Sequence, residues 1–276
     1  MIELEKHLKI AVLNLMPNKI ETEKQLSKAL GYNNYKLEFT FLRTGSYIPK
    51  NTDLQYLKSK YKLIDEIISN KYHGFICTGA PVERLPFDSV DYIDETKKIM
   101  NWARTNTLSS YYICWGANLA LNHFYGIEKI VFNKKLSGIY EHEIVNHEAN
   151  LMNGLNRKVK LPVSRFSGVK KSDIESINDL ELLLYSKVAG SGLIANLSYN
   201  EYYNFNHFEY DATTLAVEYK RDLSNGMKID IPVNYFPNNN PNSLPINCWR
   251  TDGTIFFNNW LKSIQQTNNK RKVKKA

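Results

Sequence analysis

Tyr111-Tyr112-Ile113-Cys114-Trp115-Gly116-Ala117 is the stretch on which the fold turns. Residues 111–114 read as a short buried strand, and 116–125 read as a helix closed by Gly126. A strand that ends in a thiol and turns at once into a helix makes a tight elbow, which small residues such as Gly116 and Ala117 permit. Such an elbow sets the sulfur at the carboxyl end of a sheet, where α/β folds bind ligands. It also sets the sulfur near a helix N-terminus, whose partial positive charge favours a thiolate. Backbone N–H groups of the turn can then stabilise an oxyanion.

The flanking segments supply the rest of the sheet. Residues 9–15 (KIAVLNL) are a near-continuous apolar run ending at Met16-Pro17, as expected of a buried parallel strand. Pro17 opens a helix predicted over 20–30 and stopped by Gly31. Residues 37–42 alternate as a second strand. Residues 55–68 place Tyr56, Leu57, Tyr61, Ile64, Ile67 and Ile68 on one broad helical face. A strand is predicted at 74–77, running into the turn Thr78-Gly79-Ala80-Pro81, and a helix at 90–105. Strands alternating with helices predict an α/β fold, its sheet mostly parallel and covered by helices on both faces. In the second half, strands are expected at 181–184, 192–197 and 202–207, with helices at about 212–219 and at 254–264. No internal repeat or linker stands out, so residues 1–265 read as a single domain and 266–276 as a basic, disordered tail.

Composition narrows the function. The chain has 276 residues, 43% hydrophobic and 23% charged, enough for a sizeable core. No apolar run approaches the length of a membrane span, and the first run lacks a signal-peptide cleavage site, so the expected compartment is the cytoplasm. Cys77, Cys114 and Cys248 are too few and too scattered for a disulfide framework or a metal site. Of the net charge of +8, five units belong to Lys270, Arg271, Lys272, Lys274 and Lys275 at the end of the chain. No aromatic-interleaved basic patch accompanies them, and a nucleic-acid partner is set aside.

A nucleophilic thiol needs a base. His207-Phe208-Glu209 offers one, because residues two apart in extended backbone share a side, so His207 can face the sulfur while Glu209 holds the imidazole. His142 and His147 compete on composition alone.

Six blocks in order extend the reading: NLMPNKIETE (14–23), TGAPVE (78–83), ICWGA (113–117), LSGIYEH (136–142), EYDA (209–212) and NYFP (234–237). Together they resemble the homoserine O-acyltransferases, the transsuccinylase family of methionine biosynthesis, over nearly the whole chain. The resemblance implies a fold similar to class I glutamine amidotransferases (flavodoxin-like) and a Cys–His–Glu triad of Cys114, His207 and Glu209. It implies that Lys135 and Ser164 line the acceptor site, that Arg221 binds the amino acid's carboxylate, and that Lys19 lies near the active centre. A guanidinium suits the task given to Arg221, since it grips a carboxylate bidentately.

The implied chemistry is ping-pong acyl transfer from acyl-CoA through Cys114 to an amino-acid hydroxyl, with Trp115 and neighbouring amides on the oxyanion and no metal or other cofactor. In the family, glycine at the position of Glu83 goes with succinyl-CoA and glutamate with acetyl-CoA. A carboxylate there would repel succinate's own carboxylate in a partly dry pocket, so acetyl transfer is expected. L-homoserine is the expected acceptor and L-serine the alternative. Two departures bear on that choice: the family's few dozen residues before the first strand are missing, and Phe208 replaces its usual proline, adding bulk that would shorten the acceptor site. The family's members are often homodimers. An amidotransferase-like hydrolase would use the same triad but would leave the other blocks unexplained.

Overall fold

Leu8, Ile10, Ala11, Val12 and Leu13 are fully buried because β1 (His7–Leu13) lies inside a sheet with parallel neighbours on both sides. A strand covered on both faces has no polar side to show, hence the unbroken apolar run. The computed structural model describes residues 7–48 and 52–273.

After β1 come α1 (Lys19–Gly31), β2 (Lys36–Leu42), α2 (Leu54–Lys60), β3 (Tyr61–Lys62), β4 (Gly74–Cys77), α3 (Ile93–Asn106), β5 (Ser109–Ile113) and α4 (Trp115–Tyr125). The second half contributes β6 (Ile130–Ile144), β7 (Lys158–Gly168), α5 (Lys171–Glu175), β8 (Glu181–Ser186), β9 (Gly190–Asn196), β10 (Glu201–Asn204), α6 (Thr214–Ser224) and α7 (Arg250–Val273). The strands form one sheet in the order β3-β2-β1-β4-β5-β10-β9-β8-β6-β7. Every pairing from β3 to β10 is parallel, and every pairing from β10 to β7 is antiparallel.

Helices cover both faces. On one, Leu26 and Leu30 of α1 and Phe256, Trp260 and Ile264 of α7 share a core with Ile76, Tyr111 and Ile113. On the other, Ile99 and Ala103 of α3 and Leu119 and Ala120 of α4 pack with Phe75, Cys77 and Tyr112. The alternate residues of β4 and β5 thus feed opposite cores.

Three local expectations give way. The helix predicted over 55–68 ends at Lys60, because Tyr61 and Lys62 pair with Phe41 and Leu42 as a sheet edge. Tertiary demand overrides the helical period there: the buried Tyr61 hydroxyl donates to Glu23 Oε1 at 2.5 Å and accepts from Asn14 Nδ2 at 2.9 Å. The strand predicted over 202–207 stops at Asn204, so His207 and Glu209 lie beyond it. Finally, α7 continues through Val273, so most of the tail expected to be disordered is helical. Trp260, Leu261 and Ile264 anchor the helix in the core. Residues 274–276 lie outside the described residues.

The elbow needs Gly116. A Cβ there would sit 2.7 Å from Thr78 O and 3.0 Å from Cys77 O, both backbone atoms that cannot swing aside. Gly116→Ala is expected to lower stability by about 1–3 kcal/mol, read as the urea midpoint at unchanged slope. An unshifted midpoint would show that the β4 end and the elbow are not held this close.

Candidate active site

Cys114 follows β5 and His207 follows β10, and these strands are adjacent and parallel, with Ile113 opposite Asn204. Both residues therefore emerge at the same carboxyl edge. Cys114 has φ 53° and ψ −112°, a left-handed conformation disfavoured by its Cβ. Its own N–H donates to Asn204 O at 2.7 Å, tying the elbow to β10. Gly79 leaves room opposite, since a Cβ on it would lie 3.2 Å from that of Cys114.

His207 and Glu209 meet through a turn. Asn204 Nδ2 donates to Tyr111 Oη and to Asn206 O, closing the chain after β10, and His207 N donates to Pro162 O on β7. His207 Nδ1 then lies 2.6 Å from Glu209 Oε1, both residues are 5% exposed, and the imidazole stacks on Tyr210 with centroids 4.0 Å apart. His142 is fully buried, with Nδ1 3.0 Å from Tyr140 O, and His147 is exposed, so neither competes as a base.

The sulfur's hydrogen bond is to Glu83. Cys114 Sγ donates to Glu83 Oε1 at 3.0 Å, Glu83 Oε2 accepts from Phe166 N at 3.0 Å, and no hydrogen bond joins the sulfur to His207. Burial pushes the Cys114 thiol well above its ordinary range, with the Glu83 charge adding to it, while Arg165 and the Trp115 N–H pull it down. Burial likewise raises the Glu83 carboxyl. Thr78, Gly79, Ile113, His207, Glu209 and Tyr210 are among the residues around a crevice of about 20 Å³, room for a single water.

Lys135, Ser164 and Arg221 converge on two acids of α6 that the sequence did not single out. Lys135 Nζ lies 2.7 Å from Asp222 Oδ2 and 3.7 Å from Glu218 Oε2. Arg221 donates from Nε and Nη2 to Asp222 Oδ1, at 2.9 and 2.7 Å. The Ser164 hydroxyl donates to Glu218 Oε2, and Tyr210 Oη to Glu218 Oε1 at 2.7 Å. Glu218 and Asp222 sit four apart on one helix face, a spacing that by itself marks only a solvated acidic stripe. Lys19 is buried but lines a different crevice. Phe208 turns into the core, stacked on Phe256 at 4.2 Å, so its bulk gives no reason for a shortened acceptor site.

Two outcomes follow. Glu83→Gln removes the charge facing the sulfur, and Cys114 alkylation by iodoacetamide at neutral pH is expected to quicken by about tenfold, one unit of thiol pKa, in a background lacking Cys77 and Cys248. An unchanged rate would show that Glu83 does not hold the thiol protonated. Burial lowers His142 to about 4, below its ordinary 6.5. Between those values the unfolded chain binds a proton that the folded one refuses, so stability falls as pH drops, by up to about 1.4 kcal/mol per unit. His142→Gln should flatten that fall in urea midpoints, and a pH-independent difference from the parent would refute a neutral His142.

Comparison with known proteins places this geometry. The family model described as homoserine O-succinyltransferase (HTS) matches residues 4–270. A homoserine O-acetyltransferase of Rhizobium rhizogenes is 42% identical over 260 residues, covering 94% of this chain and 84% of the relative. One from Petrotoga mobilis is 43% identical over 254 residues, covering 92% and 82%. Among solved structures, a glutamine amidotransferase from Thermotoga maritima aligns with TM-score 0.54 at 12% identity, over 94% of this chain and 97% of that one. Another, from Methylobacillus flagellatus, aligns with TM-score 0.55 at 12% identity, over 96% and 94%. Those two show the class I glutamine amidotransferase-like fold alone. The family model, spanning nearly the whole sequence, shows that the chain belongs to the homoserine O-succinyltransferase family.

Proposed function

We propose that the protein transfers an acetyl group from acetyl-CoA to the hydroxyl of L-homoserine through a thioester on Cys114. The observation that carries the donor choice is the Glu83 carboxylate, hydrogen-bonded to the buried reacting sulfur. A succinyl chain would bring its own carboxylate against that charge in a medium of low dielectric, whereas acetyl brings none. The family model takes its description from succinyl transfer, while the relatives from Rhizobium rhizogenes and Petrotoga mobilis are named for acetyl transfer. Glu83 sides with the latter.

In the first half-reaction the donor displaces the Glu83 contact, His207 takes the thiol proton, and the sulfur attacks the thioester carbonyl. The Trp115 N–H faces the resulting oxyanion, and CoA leaves with the proton that His207 returns. In the second, His207 takes the homoserine hydroxyl proton, the alkoxide attacks the acyl-enzyme, and the Cys114 thiolate departs. Glu209 fixes the imidazole throughout and stabilises its charged form. The half-exposed Arg221 offers the acceptor's carboxylate a guanidinium, and Glu218 offers its ammonium an acid already oriented by Ser164 and Tyr210.

The decisive experiment crosses acetyl-CoA and succinyl-CoA with L-homoserine and L-serine. Acetyl-CoA with homoserine should give the highest kcat/KM, with an acetyl adduct on Cys114 that Cys114→Ser abolishes and Cys77→Ser or Cys248→Ser retains. Glu83→Gly should shift the donor ratio toward succinyl-CoA by about tenfold, and Arg221→Ala should raise the homoserine KM by about 10–100-fold. A parent enzyme that prefers succinyl-CoA would overturn the role given to Glu83, and full turnover in Cys114→Ser would overturn the mechanism.

A further inference from the structure

Beyond the triad, the carboxyl ends of β1, β2 and β4 enclose a second crevice of about 150 Å³, lined among others by Lys19, Arg43, Tyr47, Val82, Leu85 and Tyr92. It joins two cations to an apolar and aromatic wall. Lys19 is 4% exposed, with Nζ 2.5 Å from Asn14 O and 3.5 Å from Met16 O. Arg43 donates from Nη1 to Thr44 O at 3.2 Å, while its Nε is buried with no hydrogen-bond partner. Neither cation forms an ion pair among the described residues. The nearby Glu95 carboxylate is engaged by the Gly45 and Ser46 N–H groups and the Ser46 hydroxyl, and Asp91 is exposed at the rim. Burial and the neighbouring Arg43 charge lower Lys19 to about 8, against the pull of Glu23. A buried ammonium and a half-buried guanidinium lining one cavity are costly until an anion arrives.

The strand order sets the distance from this crevice to the nucleophile. β2, β1, β4 and β5 are consecutive neighbours, and strands lie about 4.8 Å apart. Arg43 follows β2 and Cys114 follows β5, so three intervals separate them by about 14 Å. In coenzyme A about thirteen bonds run from the sulfur to the first phosphorus, the backbone length of roughly four peptide units, or about 15 Å extended. A thioester at Cys114 with its pantetheine arm laid across the 78–83 loop therefore delivers phosphate to this crevice.

We propose that Lys19 and Arg43 form the subsite for the pyrophosphate of the CoA donor, with the apolar wall between them and the loop receiving the pantetheine arm. The assignment rests on the acyl-CoA reading above. Arg43 supplies a bidentate grip and Lys19 a point charge, a pairing suited to adjacent phosphates.

Three donors test it: acetyl-CoA, S-acetyl-4′-phosphopantetheine and S-acetylpantetheine, each with the parent enzyme, Arg43→Ala and Lys19→Met. Both substitutions should lower kcat/KM for the two phosphorylated donors by about tenfold or more and leave that for S-acetylpantetheine within about twofold. Because the ratio between donors is measured within one preparation, partial unfolding cancels. Equal losses with all three donors, or no loss with S-acetyl-4′-phosphopantetheine, would overturn the subsite while leaving acyl-CoA transfer intact. A parent enzyme that acetylates homoserine from none of the three would overturn both readings.

Discussion

Cys114 is held in a backbone conformation that its own side chain disfavours, and the surrounding structure exists in a form that enforces it. The residue leaves β5 at φ 53°, its N–H is bound by β10, and Gly79 and Gly116 bring the β4 loop against it with no side chain between. Such backbone strain costs on the order of 1–3 kcal/mol and persists only where neighbours over-determine it. Those neighbours are the central strands of the sheet, which place two buried cores on either side of the elbow. The sulfur is fixed at the sheet's edge because the sheet is rigid beneath it.

Most of the first half of the fold was legible because β1, β4 and β5 are buried on both faces and the first and fourth helices are bounded by Pro17, Gly31 and Gly126. The β6–β7 hairpin carried no such signal. β6 contains Asn133-Lys134-Lys135 and a register shift between Val131 and Leu136, and β7 is the outer strand and holds Pro162. Partial exposure and the irregular pairing break the alternation that would reveal a strand. The hairpin nonetheless presents Lys135, next to the Leu136–Arg165 pair, and Ser164, paired with Ser137.

For the site, sequence reasoning singled out Cys114, His207 and Glu209, yet the means by which the last two meet was misjudged. A turn stapled by Asn204 and Asn206 replaces strand alternation, and only tertiary structure reveals that staple. Glu218 and Asp222 escaped notice for a related reason. On a helix they resemble solvated charge, and their meaning lies in Lys135 and Ser164 arriving from the β6–β7 hairpin and Tyr210 from the turn after β10. Buried charge is a pairwise property, while a sequence presents its residues one at a time.

Sheet topology also fits the proposed two-step transfer. Cys114 and His207 emerge from β5 and β10, and on one side of them the sheet is entirely parallel while on the other it runs antiparallel. The parallel side ends in βα loops, which bring Glu83 to the sulfur and set Lys19 and Arg43 around a separate crevice. The antiparallel side replaces those loops with a long hairpin and α6, which bring Lys135, Ser164, Glu218 and Arg221. In the proposed reaction the large, phosphate-bearing donor and the small zwitterionic acceptor therefore use different halves of the molecule and share only the sulfur and the imidazole. In that reaction a covalent acyl-enzyme lets the donor leave before the acceptor takes its place at the sulfur.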